Sequence, residues 1–295
     1  MRGLCVRAVA SRFSDCCANR FSRRKALKMK TNWTKVFAVM LASAALSLAT
    51  FAQAPDSGAQ KSAASTPSAD KILDKYVAAI GGEAAWHKLS SRISKGTIEI
   101  PAMSLSGTVE SHEKAPNSML VVVNLGGAAF ERGCDGTTAW ADDPQNGLRT
   151  ETGAEADDSK RQSDFYHQVN IRKYYSKWNV TGTEKIGDRD VYAVEATSLA
   201  GDMDKLYFDT QSGLLVRAIT TVHTPQGAMV IQSDLSDYRD ADGIKLPFTV
   251  HQSSAQSDYT IKFTEVKHNL QLADSQFAKP AAEPAAAPEA KPPTQ

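Results

Sequence analysis

Apolar and polar residues alternate in short runs along most of this chain. The runs occupy residues 92–100, 105–112, 119–125, 128–134, 138–141 and 148–151, and then 180–186, 191–197, 205–209, 214–222, 229–238, 245–252 and 259–267. A period of two is typical of strands with one buried face, and spacings of about 8 to 12 residues between turns favour an antiparallel meander over βαβ units. Roughly eleven or more strands do not close as a flat sandwich. We therefore predict a mainly β (α+β) fold, a strongly curved antiparallel sheet that forms an incomplete barrel with helices packed in or over its concave face.

Two stretches follow a helical pattern instead. The first begins after Ser68, an expected N-cap, and ends at Gly81-Gly82, with a short helical piece at residues 83–89 after it. The second is residues 156–178, which separate the two sets of strands. Its apolar side chains recur at helical intervals, which predicts one or two amphipathic helices that could act as a lid. These side chains are Phe165, Val169, Ile171, Tyr174, Tyr175 and Trp178.

Composition divides the chain into four parts. Residues 1–52 combine a basic stretch, an apolar run from Val36 and small residues at Ala52 and Ala54, so we expect a cleavable export signal. Met29 is an alternative start, which would leave residues 1–28 untranslated. Residues 53–68 form an expected disordered linker, residues 69–280 one folded domain, and residues 281–295 a disordered Pro/Ala-rich tail.

Charge and cysteine usage change once residues 1–52 are removed. The remaining chain has 24 Lys and Arg against 32 Asp and Glu, a net charge of −8. An acidic protein without a basic cluster is a poor candidate for binding nucleic acid or anionic headgroups. Cys134 is then the single cysteine, so we expect neither an intrachain disulfide nor a lipid-attachment cysteine after the signal. We expect an exported, periplasmic protein with no stable membrane span after the signal is removed.

Catalytic and metal-binding patterns are not found in the sequence. The six histidines do not follow zinc-ligand spacings, and no nucleophile elbow, Walker loop or dinucleotide fingerprint occurs. The acidic group at residues 234–242 lacks the spacing and central Gly of a calcium loop, and a solvated turn explains it better. Cys134 has no histidine near it in sequence. We therefore predict no catalytic residues, no metal and no cofactor, and an enzyme is the third hypothesis.

The end of the chain resembles the bacterial periplasmic outer-membrane lipoprotein-sorting proteins, the LolA/LolB-like family. The resemblance rests on an Asp-Gly turn followed by a Leu-Pro strand at residues 242–250, a strand at residues 259–263 and a final Phe-to-Pro segment at residues 277–280. Weaker similarities occur at residues 135–140 and 207–217. The resemblance implies an incomplete barrel with a helical lid over a hydrophobic cavity. No family residue with a defined chemical role can be transferred to this chain.

Some strands carry apolar side chains on both faces, as at residues 119–123 and 214–219, so both faces must meet apolar material. A cavity for acyl chains of a lipid or lipoprotein is the first hypothesis, with a non-catalytic binding or carrier protein for envelope transport as its function. The candidate lining residues are Met119, Val121, Val123, Phe130, Trp140, Phe165, Tyr175 and Trp178.

The alternative is a filled interior, in which helices cover the concave face completely. The protein would then be an accessory envelope domain that acts through contacts with a protein partner. The two hypotheses differ in whether lipid accompanies the purified protein.

Overall fold

In the computed structural model, which describes residues 66–281, the alternating runs form thirteen strands. They are β1 (Ser91–Ile100), β2 (Leu105–Lys114), β3 (Ser118–Leu125), β4 (Ala128–Cys134), β5 (Ala139–Asp142), β6 (Arg149–Thr150), β7 (Tyr175–Ile186), β8 (Arg189–Ser198), β9 (Met203–Asp209), β10 (Leu215–Thr224), β11 (Gly227–Ala241), β12 (Ile244–Ser253) and β13 (Asp258–His268). All pairings are antiparallel. The predicted mainly β, incomplete barrel is confirmed. The expected signal, the linker up to residue 65 and the tail after residue 281 lie outside the described residues.

The sheet consists of two meanders joined in the middle. Its spatial order is β6-β5-β4-β3-β2-β1-β13-β12-β11-β10-β9-β8-β7. Consecutive strands pair with each other except β6 and β7, and the two meanders meet at the β1·β13 junction. That junction is a ladder from Arg92↔His268 to Glu99↔Thr260, with one irregularity between Lys95 and Gly96. The strands β6 and β7 lie at opposite edges, and the residues between them must therefore connect one edge of the sheet to the other.

Two helices precede the sheet, as the sequence predicts. α1 spans Ala69–Ala79 and α2 spans Glu83–Trp86. The side chain of Ser68 makes no capping hydrogen bond, so the expected cap is wrong in that detail. Gly81 is essential to the geometry because its φ is +110° and a Cβ there would lie 2.5 Å from the carbonyl oxygen of Gly243. The end of α1 thereby docks on the turn between β11 and β12.

One face of the sheet carries the main hydrophobic core. Side chains of α1 and α2 pack there against β8, β9 and β12, together with residues of the segment that precedes β7. The buried members of this core are Ile72, Leu73, Tyr76, Ile80, Trp86, Leu89, Phe165, Val169, Ile171, Val194, Leu206, Phe208, Ile244, Leu246 and Phe248. We call this side of the sheet the inner face.

The prediction of amphipathic helices over residues 156–178 is only partly right. Helix α3 spans Gly153–Ser163, but the side chains that it buries are mostly polar. The aromatic residues follow the helix, in a turn, in a short 3-10 segment (Ile171–Tyr174) and in β7. We call residues 151–174, which join β6 to β7, the strap.

Cys134 lies at the end of β4 in a small cluster with Ala139 and with Ala156 of α3, and its side chain is fully buried. In the chain that begins after residue 52 we expect almost no reaction of this thiol with a thiol reagent in the native state. After denaturation we expect about one reactive thiol per chain. Rapid labelling of the native protein would show that α3 does not cover β4 in solution.

Candidate functional site

The register of the sheet lines up six apolar side chains and one glycine across seven strands of the inner face. Cross-strand partners share a face of the sheet, so the pairs that link β4, β3, β2, β1, β13, β12 and β11 form one continuous row. Its members are Ala128, Leu125, Gly107, Ile98, Ile261, Val250 and Leu235. We call it the apolar row.

A second line of partners runs directly beside the apolar row. It consists of Phe130, Val123, Val109, Gly96 and Phe263. Phe263 packs against the main core, which shows that both lines lie on the inner face. Val123 is only half-buried and Phe130 is 38% exposed. Val109 in the same line and Ile98 in the apolar row are only 4% and 6% exposed, so among the described residues the accessible part of the inner face lies at Val123 and Phe130 on β3 and β4.

The first part of the strap, which includes α3, lies between β4–β6 on one side and β10 on the other and is held by polar contacts to both. Near β6, Arg132 donates to Glu151 over 2.7 Å, and Arg149 donates to both carboxylate oxygens of Glu155 over 2.7 and 2.8 Å. At the other side, Asp158 accepts from the backbone N–H of His223 in β10 over 2.8 Å. The Glu151 side chain is fully buried. The ion pair with Arg132 and the hydrogen bond donated by the Ser159 hydroxyl compensate for the water that this carboxylate loses.

The structure brings six of the eight predicted site residues to the inner face outside the strap. Met119, Val121, Val123 and Phe130 are partners of inner-face positions on β2 and β4. Tyr175 and Trp178 lie on β7 with their ring centroids 4.8 Å apart, and both pack against the main core. The hydroxyl of Tyr175 donates to Asp204 over 2.9 Å.

The other two predicted residues are placed differently. Trp140 is the cross-strand partner of Gly133, which puts it on the outer face, where its indole N–H donates to the carbonyl of Phe277 over 2.9 Å. Phe165 is 1% exposed and is part of the main core. Neither side chain lies in the accessible part of the inner face.

Sequence reasoning missed a polar group inside the inner face. Arg92 and Ser94 on β1 pair with Glu113 and Ser111 on β2, all at positions where alternation would place apolar side chains. The guanidinium of Arg92 donates to Glu113, and the Ser111 hydroxyl donates to the same carboxylate over 3.1 Å. The signal was present in the sequence as polar residues in the phase opposite to Ile93, but nothing local showed that this phase faces the core.

Burial on the inner face shifts the pKa of several groups. The pKa of the Asp204 carboxyl is raised, because desolvation outweighs the hydrogen bonds that it accepts from the Thr221 N–H and the Tyr175 hydroxyl. The pKa of the Tyr175 hydroxyl is raised for the same reason, and the nearby Asp204 adds to the effect. Burial therefore favours the neutral form of both groups.

The lowered pKa of the His167 imidazole should make the free energy of unfolding depend on pH. Burial lowers the pKa of His167 to about 4, Arg161 adds to this effect, and Asp164 partly opposes it. An unfolded histidine titrates near ~6.5, so between roughly pH 6.5 and 4 the unfolded chain binds a proton that the native protein excludes. Stability present above pH 6.5 is thus lost as the pH falls through this window, by about 3 kcal/mol at most.

Urea unfolding of the parent and of His167→Asn at about pH 7.5 and about pH 4.5 measures this effect. We expect the parent to lose more stability than the variant between the two conditions. Equal losses would assign the acid sensitivity to other groups.

Among residues 66–281, no group of three or more His, Cys, Asp and Glu side chains is arranged to hold a metal ion. In the same residues, no helix is both long and apolar enough to cross a membrane.

No protein-family model matches the chain, and no curated protein sequence matches it. Solved structures do match in fold. A DUF1329 family protein from Desulfovibrio piger aligns with a TM-score of 0.50 at 13% identity, over 72% of this chain and 98% of that one.

Two further structures align over similar lengths. A LolA superfamily protein from Nitrosomonas europaea gives a TM-score of 0.47 at 16% identity, over 72% of this chain and 99% of its own. A putative outer membrane lipoprotein-sorting protein domain from Vibrio parahaemolyticus gives 0.46 at 15%, over 71% and 95%. The open antiparallel sheet confirms the incomplete barrel, its fold is shared with the Desulfovibrio piger protein, and the sequence resemblance to the LolA/LolB-like family is in line with it.

Proposed function

We propose that this protein binds acyl chains of a lipid or lipoprotein on its inner face and carries them in the periplasm, without catalysing a reaction. The observation that carries the proposal is the apolar row, which crosses seven strands beside a helical core that does not cover it. An open row of this length fits an extended hydrocarbon chain.

Binding an acyl chain requires no specific polar motif, because the favourable free energy comes from burying hydrocarbon. Each CH2 group removed from water contributes about 0.8 kcal/mol, so a long acyl chain is held by burial along the row alone. This explains why a binding function can exist here without a recognisable catalytic or metal site. The proposed lining residues are Met119, Val121, Val123, Phe130, Tyr175 and Trp178, while Trp140 and Phe165 are left out because of where they lie.

The strap is the proposed gate of this site. Its α3 part contacts the sheet largely through ion pairs and hydrogen bonds, such as Arg149 with Glu155 and Asp158 with the His223 N–H. The residues after α3 are held by apolar packing, since Phe165, Val169 and Ile171 belong to the main core. The carboxylates of the α3 contacts are buried, but their charged groups regain water when α3 lifts, which offsets part of the cost of separating them, and no residue of α3 belongs to the main core. The α3 part of the strap can therefore open without disrupting the main core.

Lipid extraction tests the proposal directly. The mature chain, beginning near residue 53 or 55, is purified from the periplasm without detergent, and the mass of solvent-extracted material is measured. We expect co-purifying lipid. In a variant in which Trp86 and Trp140 are replaced by Phe, oleoyl ligands should also change the emission of Trp178.

Clean protein with no fluorescence response to lipid would overturn the carrier proposal. The part of the inner face filled by α1, α2 and Phe165 would then favour the alternative, an accessory envelope domain that acts through a protein partner.

A further inference from the structure

A small cavity with a largely apolar lining and a few polar groups lies on the inner face where the helical core meets the apolar row. Its volume is about 150 Å³, and Arg92, Glu113 and Gln168 line one part of it while Val250 and Phe263 line another. Val250 belongs to the apolar row and Phe263 to the line beside it. The cavity is therefore continuous with the proposed acyl-chain site.

The guanidinium of Arg92 is fixed in this cavity but incompletely bonded. It is 6% exposed and lies 5.8 Å from the ring centroid of Trp86 and 5.7 Å from that of Phe165. Its Nη2 donates to Glu113, while its Nη1 is buried and donates to no described residue. A buried charged donor without a partner is costly, so this atom is expected to meet an acceptor in the working protein.

Gln168 presents the complementary group. Its Oε1 is buried and accepts no hydrogen bond from a described residue. Arg92 and Gln168 both line the cavity, and a small adjustment of either side chain presents its unpaired atom to whatever enters. Glu113 already balances the charge of Arg92, so a bound carboxylate would bury a net negative charge, whereas a neutral carbonyl oxygen would not.

We propose that this cavity binds the carbonyl group of an ester- or amide-linked acyl chain. The carbonyl oxygen accepts a hydrogen bond from Nη1 of Arg92, a neighbouring O–H or N–H donates to Oε1 of Gln168, and the hydrocarbon extends along the apolar row. This assignment rests on the proposed acyl-chain function and specifies its substrate class, an acylated molecule rather than a free fatty acid.

Two ligands that differ only in the carbonyl test the assignment. These are 1-monooleoyl glycerol and its 1-O-oleyl ether, titrated into the delipidated mature protein. A hydrogen bond from a charged donor should favour the ester by about tenfold or more. Oleate should bind more weakly than the ester at a pH where it is ionised.

The paired variant Arg92→Met/Glu113→Leu removes the ion pair without leaving either charge alone. It should bind the ether like the parent and lose the preference for the ester. Circular dichroism and urea unfolding test whether this variant folds. If it does not fold, the ratio of the parent's affinities for the ester and the ether decides whether the carbonyl is bound.

Equal binding of ester and ether by the parent would overturn the carbonyl assignment and leave the carrier function standing, as expected if only water fills the cavity. A preference that persists in the paired variant would also overturn it. Binding of neither ligand would remove the carrier function itself.

Discussion

Val123→Asp should weaken the binding of an oleoyl ligand by about a hundredfold or more. Val123 lies on the inner face beside the apolar row, opposite Val109 and Phe130. An aspartate there would be placed against hydrocarbon without a partner, and burying such a charge costs several kcal/mol, where each 1.4 kcal/mol is about a factor of ten. The dissociation constant is measured by titration with the emission of Trp178 as the signal.

The adjacent residue supplies the control. Val122 is on the same strand but faces the outer side, where it lines a groove together with Lys95 and His112. Val122→Asp introduces the same charge into the same strand and should leave the affinity within about twofold, since no ligand is expected on that face. Equal effects of the two substitutions, or no effect of Val123→Asp, would show that acyl chains do not lie on the inner face.

Phe165→Ala should lower the free energy of unfolding by about 3–5 kcal/mol, the range for removing a large aromatic side chain from a core. The Phe165 ring is 1% exposed, meets Tyr166 edge-on at 5.2 Å between centroids, and lies beside Arg92. Its backbone N–H also donates to the carbonyl of Pro116 over 2.9 Å. Urea unfolding followed by circular dichroism measures the loss.

Phe130→Ala is the matched comparison, because it removes the same ring from a position that is 38% exposed. Its stability cost should stay near or below about 1 kcal/mol. Phe130→Ala should instead reduce acyl-chain binding. If Phe165→Ala proves as mild as Phe130→Ala, the residues after α3 would be a loosely attached lid rather than part of the core.

The meander could be predicted because its information is local. Strand runs separated by turn residues such as Gly213 and Asp242-Gly243 specify hairpins, and eleven of the twelve strand pairings join strands that are consecutive in sequence. What a sequence pattern does not carry is the pairing of β1 with β13, which joins residues about 170 positions apart. The register of β1 against β13 decides which side chains of the two meanders lie on the same face of the combined sheet.

The helical interpretation of residues 165–178 failed for a specific reason. A bulge between Tyr175 and Lys177 shifts the phase of β7, so Tyr175 and Trp178 both pack against the core although they are three residues apart. Two apolar residues at that spacing imitate a helix face. The bulge depends on pairing with β8, which the residues themselves do not reveal.

The candidate site was predicted in part for similar reasons. Alternation along β3 correctly groups Met119, Val121 and Val123. It could not distinguish the two faces of β5, because Trp140 is covered on the outer side by the distant Phe277. The cavity at Arg92 was not predicted, because the residues that contact Arg92 come from three separate parts of the chain. These residues are Trp86, Glu113 and Phe165.

The β1·β13 junction makes the domain an assembly of two complementary fragments. Strands β1 to β6 and strands β7 to β13 are each continuous in sequence, and the strap is their only covalent connection within residues 66–281. A cut in the strap would leave the long β1·β13 ladder and the shared core intact, so the fragments should reassociate as a split protein. The apolar row crosses that junction between Ile98 and Ile261, and the ligand would then act as a non-covalent cross-link between the two fragments.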